Sequence, residues 1–247
     1  MLRRFRAAIA AGLILLAPAA PAADIAGQKM TLPARERTVD VTYFRARSDA
    51  PRPSVLLLHG ANGFDSQIAN YNRYAAALAD AGFDAYLVFY YSPGDWQRLT
   101  RGDDVFARRF LAWTGLVSDL AADIRKRPDT SGKIGLVGFS NGGTLSGGTA
   151  ALDPAISAAV IYYGAVPFPL ETPVTRLPPL LILHGDADAI IPIEQGRRLA
   201  ELARSLGGKP ELVVYPGERH GFGSRLDSDN GADALSRTIA FLKRELN

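Results

Sequence analysis

A serine flanked by glycines, in Gly138-Phe139-Ser140-Asn141-Gly142, directly follows the apolar run Ile134-Gly135-Leu136-Val137. The pattern G-x-S-x-G after such a run predicts a buried strand, a sharp turn and a helix, with the serine lifted clear at the turn. The helix would begin at the serine. Its free N–H groups and positive dipole end would then lie beside any anion formed there. In a chain with 24 glycines the same pentapeptide also arises in ordinary strand–helix packing. Its partners must decide between the two readings.

A serine hydroxyl is a weak nucleophile at neutral pH and needs an adjacent base, itself oriented by an acid. The chain has 3 histidines. His59 and His184 each end an apolar run, where an imidazole is expected to brace the loop backbone. His220 lies in Glu218-Arg219-His220-Gly221-Phe222, a loop long enough to cross a sheet edge, and is the candidate base. The candidate acid is in His184-Gly185-Asp186-Ala187-Asp188. Asp188 is four residues past the strand end and can turn inward; Asp186 is placed to cap the turn. The chain order Ser140, Asp188, His220 is the one found in α/β-hydrolases and differs from the chymotrypsin and subtilisin orders.

Attack on an acyl carbon generates an oxyanion, which calls for two fixed donors. The backbone N–H of Asn141, next to the serine, is one candidate. The other is expected from the glycine-rich loop His59-Gly60-Ala61-Asn62-Gly63, with Ala61 favoured and Gly60 the alternative. This chemistry calls for no cofactor and no metal.

These residues need a scaffold that delivers them to one edge. Continuous apolar runs at Val55–His59, Ala85–Tyr90, Ile134–Phe139, Ala158–Tyr163, Leu180–His184 and Glu211–Tyr215 read as strands, most of them covered on both faces. Thr38–Arg45 alternates and reads as a strand near a sheet edge. Helical periodicity is expected over Asn70–Ala81, Asp103–Arg127, Asn141–Leu152, Pro192–Leu206 and Ala232–Leu246. Residues 23–34 read as an extended lead-in, Ser48–Pro53 as a turn and Tyr91–Gly102 as a loop. Ala165–Pro179 carries five prolines, which forbid a long helix and leave little room for a lid. Strands alternating with helices imply an α/β fold, a mostly parallel, doubly wound sheet with helices on both faces. Ligands of such sheets bind beyond the carboxyl ends of the strands, where all four polar, glycine-bearing loops emerge.

The N-terminus reads differently from the rest. A basic segment with Arg3, Arg4 and Arg6 precedes an apolar stretch from Ala7 to Ala17 and a run of small residues ending at Ala22-Ala23. This is the pattern of a secretory signal peptide over residues 1–22, followed by a single domain over 23–247. The apolar stretch falls short of the roughly 20 residues a membrane span requires. The expectation is export to the periplasm or beyond, with no stable membrane anchor after cleavage; Arg3-Arg4 leaves the export route open. The formal charge is +3, and the three leader arginines supply all of it. The remainder is near neutral, so no nucleic-acid partner is expected. Cysteine is absent, so an exported chain would rely on its core alone.

From about Val55 to the C-terminus the chain resembles the dienelactone hydrolase family of α/β-hydrolases. The resemblance rests on three stretches: Gly138-Phe139-Ser140-Asn141-Gly142-Gly143, Leu183–Asp188 followed by Ile191-Pro192, and Tyr215-Pro216-Gly217 leading to His220-Gly221-Phe222. It implies an α/β-hydrolase fold without a large lid domain. It also implies hydrolysis of a small-molecule carboxylic ester or lactone through an acyl-enzyme. The family's founding enzymes carry a cysteine where Ser140 stands and a glutamate at the position of Gly60. Of the two arginines with which they hold a substrate carboxylate, Pro93 falls near one and Arg225 is offset from the other. The resemblance therefore supports a serine esterase and leaves its acyl substrate open. Two rival readings share the scaffold: a peptidase or aminoacyl hydrolase, and a catalytically silent binding protein. Tyr90, Tyr91, Trp96 and Phe222 are candidates for an acyl pocket or for plain packing.

Overall fold

The computed structural model describes residues 27–35, 37–101, 104–166 and 174–247. The expected signal peptide, Gly102, Asp103 and the prolines at 167, 169 and 173 lie outside the described residues.

The strands are β1 (Gln28–Ala34), β2 (Arg37–Phe44), β3 (Arg52–Leu58), β4 (Asp84–Val88), β5 (Thr130–Phe139), β6 (Ile156–Tyr162), β7 (Leu180–Gly185) and β8 (Glu211–Tyr215). They form one sheet in the order β1-β2-β4-β3-β5-β6-β7-β8. β1 and β2 are antiparallel to each other, and β2 is antiparallel to β4. Every pairing from β4 to β8 is parallel. The helices are α1 (Ile68–Asp80), α2 (Pro93–Thr100), α3 (Val105–Ile124), α4 (Asn141–Leu152), α5 (Ile193–Ser205) and α6 (Asp229–Leu246).

The sheet separates two apolar layers. On one face Val117, Leu120, Leu145 and Leu199 of α3, α4 and α5 pack against Leu56, Leu136 and Ile182. On the other, Tyr71, Tyr74, Leu78 and Leu242 of α1 and α6 pack against Leu57, Val137 and Leu183. Both faces of the parallel strands are covered, which is why β3 and β4 read as unbroken apolar runs. The chain turns in opposite directions from β3, to β4 on one side and β5 on the other. That switch point opens a crevice between the loops after β3 and β5.

The structure departs from the sequence reading in several element boundaries and assignments, β5 among them, which begins at Thr130 rather than Ile134. Residues 28–34 form β1, an edge strand; Leu32 and Ala34 are buried and pair with β2, which lies one position in from the edge. Arg52, expected in a turn, begins β3 and is buried against Asp84 at 3.0 Å. Residues 93–100, expected as a loop, form α2. Its signal is a reciprocal cap: the Ser92 side chain accepts from the Asp95 N–H, the Asp95 carboxylate accepts from the Ser92 N–H, and Pro93 opens the helix. Finally, α6 starts three residues early because the Ser228 hydroxyl accepts from the Gly231 N–H.

Candidate active site

Ser140 closes β5 and caps α4 with φ 57° and ψ −117°. A β-substituted residue pays for such a backbone with strain of about 1–3 kcal/mol, so the surroundings must over-determine it. They do so through glycine. A Cβ on Gly138 would lie 2.0 Å from the Gly142 carbonyl oxygen, and one on Gly142 would lie 2.1 Å from that of Leu58. The Ser140 N–H donates to the Tyr162 carbonyl at 3.0 Å, which ties the turn to β6.

His220 reaches this turn from the loop after β8. Its Nε2 is 2.8 Å from the Ser140 hydroxyl, and its Nδ1 is 2.7 Å from Asp188 Oδ2. With the proton on Nδ1, the imidazole donates to the carboxylate and accepts from the serine. The other carboxylate oxygen of Asp188 accepts the N–H groups of Ile190 and Ile191, both at 2.9 Å. The Asp188 side chain is fully buried, and that of His220 is partly exposed where it faces the cavity. His220 is thus held from behind by a carboxylate that water does not reach.

Asp186 has a different task. Its carboxylate accepts the Gly217 N–H at 2.6 Å, across to the next loop, and the Ala187 N–H donates to the Glu218 carbonyl. The loops carrying Asp188 and His220 are therefore stitched to each other. The other two histidines brace backbone. The His59 ring lies face to face with Tyr90 and its Nδ1 is 2.8 Å from the Gly60 carbonyl. Complete burial lowers its pKa to about 4, so it is neutral. His184 Nε2 donates to the Ile191 carbonyl at 2.8 Å, and burial lowers its pKa as well.

A cavity of about 300 Å³ opens over Ser140 and His220. The loop 60–63 lines one part of it, with Ala61 among its residues; Tyr71, Phe139, Tyr163 and Ile190 line another, and Ser66, Gln67 and Ser224 add uncharged polar groups. Gly60 packs so close that a Cβ there would sit 3.3 Å from that of Ser140. Asn141 occupies the first position of α4, where a backbone N–H has no acceptor within the helix.

The aromatic residues of the cavity are not those singled out from the sequence. Tyr90 and Phe222 are fully buried in packing, and Tyr91 and Trp96 do not line the cavity. Tyr163 was missed. It has φ 39°, rare for an aromatic residue, and its ring lies 4.7 Å from that of His220. Its one sequence signal was its position just past a strand end and before Gly164. Arg225 does not face the cavity: its guanidinium pairs with Glu218 at the surface.

The strand order, the switch-point crevice and a serine elbow at its mouth define the α/β-hydrolase fold. The chain belongs to the dienelactone hydrolase family, whose profile matches residues 41–246. A protein of Methylorubrum extorquens assigned as a carboxymethylenebutenolidase is 26% identical over 214 residues, covering 80% of this chain and 72% of that protein. The crystal structure of dienelactone hydrolase from Anabaena variabilis superimposes with a TM-score of 0.74 at 19% identity, covering 90% of this chain and 99% of that one. An esterase of Pyrobaculum calidifontis gives 0.71 at 20% identity, with 90% and 86% covered.

Proposed function

We propose that this protein is a serine hydrolase that cleaves a small carboxylic ester or lactone through an acyl-enzyme. The observation that carries the reading is the unbroken relay from Ser140 through His220 to Asp188, at 2.8 and 2.7 Å, with the serine on a strained elbow. Family membership supports the same reaction class.

In this reading His220 Nε2 takes the hydroxyl proton as Ser140 Oγ bonds to the acyl carbon. The carbonyl electron pair moves onto oxygen, where the N–H groups of Asn141 and Ala61 receive it. The C–O bond to the alcohol then breaks, and His220 returns the proton to the leaving oxygen. Water, deprotonated by the same imidazole, releases the acid and restores Ser140. Asp188 keeps the imidazole in the required tautomer and stabilises its charged form. In a lactone the leaving oxygen stays attached, and one hydroxy acid is the product.

The test is hydrolysis of short p-nitrophenyl esters by the purified protein beside Ser140→Ala. Turnover should fall by a factor of about 10³ or more in the variant. Equal turnover in the two would sink the proposal.

Export also belongs to this reading. It is supported by the basic, apolar and small-residue segments of the first 23 residues. Among the described residues no helix is long and apolar enough to cross a membrane. Fractionation of cells expressing the full chain, with mass determination of the processed product, tests it. A cytosolic protein with its first 22 residues intact would overturn export.

A further inference from the structure

The cavity over Ser140 is small, and its wall is electrically plain. Among the described residues that line it, none is Lys, Arg, Asp or Glu, and His220 is the sole titratable group besides two tyrosines. Two arginines lie close by in sequence, and neither lines the cavity: Arg219 is exposed, and Arg225 pairs with Glu218, which also accepts from Asn230 Nδ2 at 2.8 Å. A carboxylate on the substrate would lose water on entry and gain no counter-charge, which is costly.

The rim adds a second feature. Ile190 is 71% exposed, the most exposed of the large apolar side chains among the described residues, and it lines this cavity. Its backbone is already committed, since its N–H donates to Asp188 Oδ1 at 2.9 Å. The side chain belongs to neither apolar layer of the fold. It stands two residues from the acid of the relay, at the mouth through which an ester must pass. An exposed branched side chain at that point offers apolar surface to a ligand.

We infer that the substrate is an uncharged ester with a short apolar acyl chain, and that Ile190 is a specificity-determining residue which contacts that chain. The inference rests on the proposed serine hydrolase and names the substrate class of the same site. A substrate bearing a carboxylate near its reacting carbonyl is discriminated against, because the described residues of the cavity wall offer it no cation.

The experiment compares kcat/KM for p-nitrophenyl pentanoate and mono-(p-nitrophenyl) glutarate, esters of equal acyl length that differ by a terminal carboxylate. The wild-type chain should favour the pentanoate by about 30-fold or more, the scale set by an unpaired charge losing water. Ile190→Arg brings a cation to the rim and should shrink that ratio about tenfold. Ile190→Ser should lower kcat/KM for the pentanoate about fivefold while leaving p-nitrophenyl acetate within twofold, since each buried methylene is worth about 0.8 kcal/mol. Preference for the glutarate, or a ratio that Ile190→Arg does not move, would overturn the inference. A fluorophosphonate probe separates the two levels. Labelling of Ser140 with the wrong substrate preference removes this inference alone. Absence of both labelling and turnover removes the serine hydrolase reading, and this inference with it.

Discussion

His184 Nε2 lies 3.7 Å from Asp188 Oδ2, the same oxygen that pairs with His220 at 2.7 Å. The carboxylate therefore sits between two imidazoles with unequal tasks. His184 donates to the Ile191 carbonyl, while the Ile190 and Ile191 N–H groups donate to Asp188. The loop that presents the acid is closed on itself, and His184 is its buried anchor.

Removing that anchor should loosen the acid without touching the serine. His184→Ala is expected to lower kcat about tenfold with KM nearly unchanged, because a small misplacement of a catalytic group suffices for such a loss. It should also cost about 2 kcal/mol of stability, for a cavity and an unpaired carbonyl. Steady-state kinetics and urea unfolding of the same preparation check both. An unchanged kcat in a destabilised variant would reduce His184 to packing.

The elbow stores strain that a glycine would release. Ser140→Gly should abolish ester hydrolysis yet raise the melting temperature by about 2 °C. The relief of a positive-φ serine exceeds the entropy cost of glycine in the unfolded chain by a fraction of a kcal/mol up to about 1. A lower melting temperature than wild type would show that the Ser140 hydroxyl contributes more through its bond to His220 than its backbone costs.

The two flanking glycines should behave differently from exposed ones. Gly142→Ala puts a methyl group 2.1 Å from a carbonyl oxygen, where only backbone movement relieves the clash. A loss of about 4 kcal/mol or failure to fold is expected. Gly132→Ala, at φ 79° with nothing within 4 Å of the added carbon, should cost only about 1 kcal/mol. Chemical denaturation of the pair provides the comparison, and equal losses would contradict it.

Burial of His59 predicts how stability depends on pH. Its pKa falls from 6.5 to about 4 on folding, so between those values the unfolded chain binds the extra proton. The contribution is complete above pH 6.5 and is lost as pH falls towards 4. From pH 7 to pH 5 this group alone should remove about 2 kcal/mol. His184, also lowered by burial, acts in the same direction. In His59→Phe, which keeps a ring against Tyr90, the slope should flatten by His59's share. Urea titrations at the two pH values measure it, and an unchanged slope would assign the acid sensitivity elsewhere.

Far from the chemistry, Arg52 is almost wholly buried between Asp84 and Asp129, and its pKa is raised chiefly by its hydrogen bond to Asp84. Asp84→Ala should destabilise by about 3 kcal/mol, because it leaves the buried guanidinium with the half-exposed Asp129 as its remaining carboxylate. The double variant Arg52→Met, Asp84→Ala should recover most of that loss. Activity per folded molecule should stay near wild type in both, as the pair lies at the opposite end of β3 and β4 from Ser140. A double variant no more stable than the single one would refute the stranded-charge account.

Much of the molecule was legible in its residue order. The runs at Val55–Leu58 and Ile134–Phe139 announce buried strands because both faces of a parallel strand must be apolar. The glycines beside Ser140 announce the elbow because no other residue fits there. The loop positions of Asp188 and His220 follow from where their strands end. β1 escaped notice because its short alternation, Leu32 and Ala34, acquires meaning only against β2. α2 carries its signal in Ser92-Pro93-Gly94-Asp95, but in a helix of only eight residues that four-residue capping box is masked by its own proline and glycine.

By itself, then, the order of residues determined the alternation of strands and helices and the family, and it singled out Ser140, Asp188 and His220 as candidates for a hydrolytic relay. These follow from local periodicity and from groups whose chemistry does not depend on distant neighbours. Only the tertiary structure decided which oxygen of Asp188 meets which imidazole, that Tyr71, Phe139 and Tyr163 rather than Tyr90 or Phe222 line the cavity, and that Arg225 is turned away to Glu218. Each of those is a contact between elements far apart in the chain, set by how helices pack on the sheet, and no local pattern encodes it.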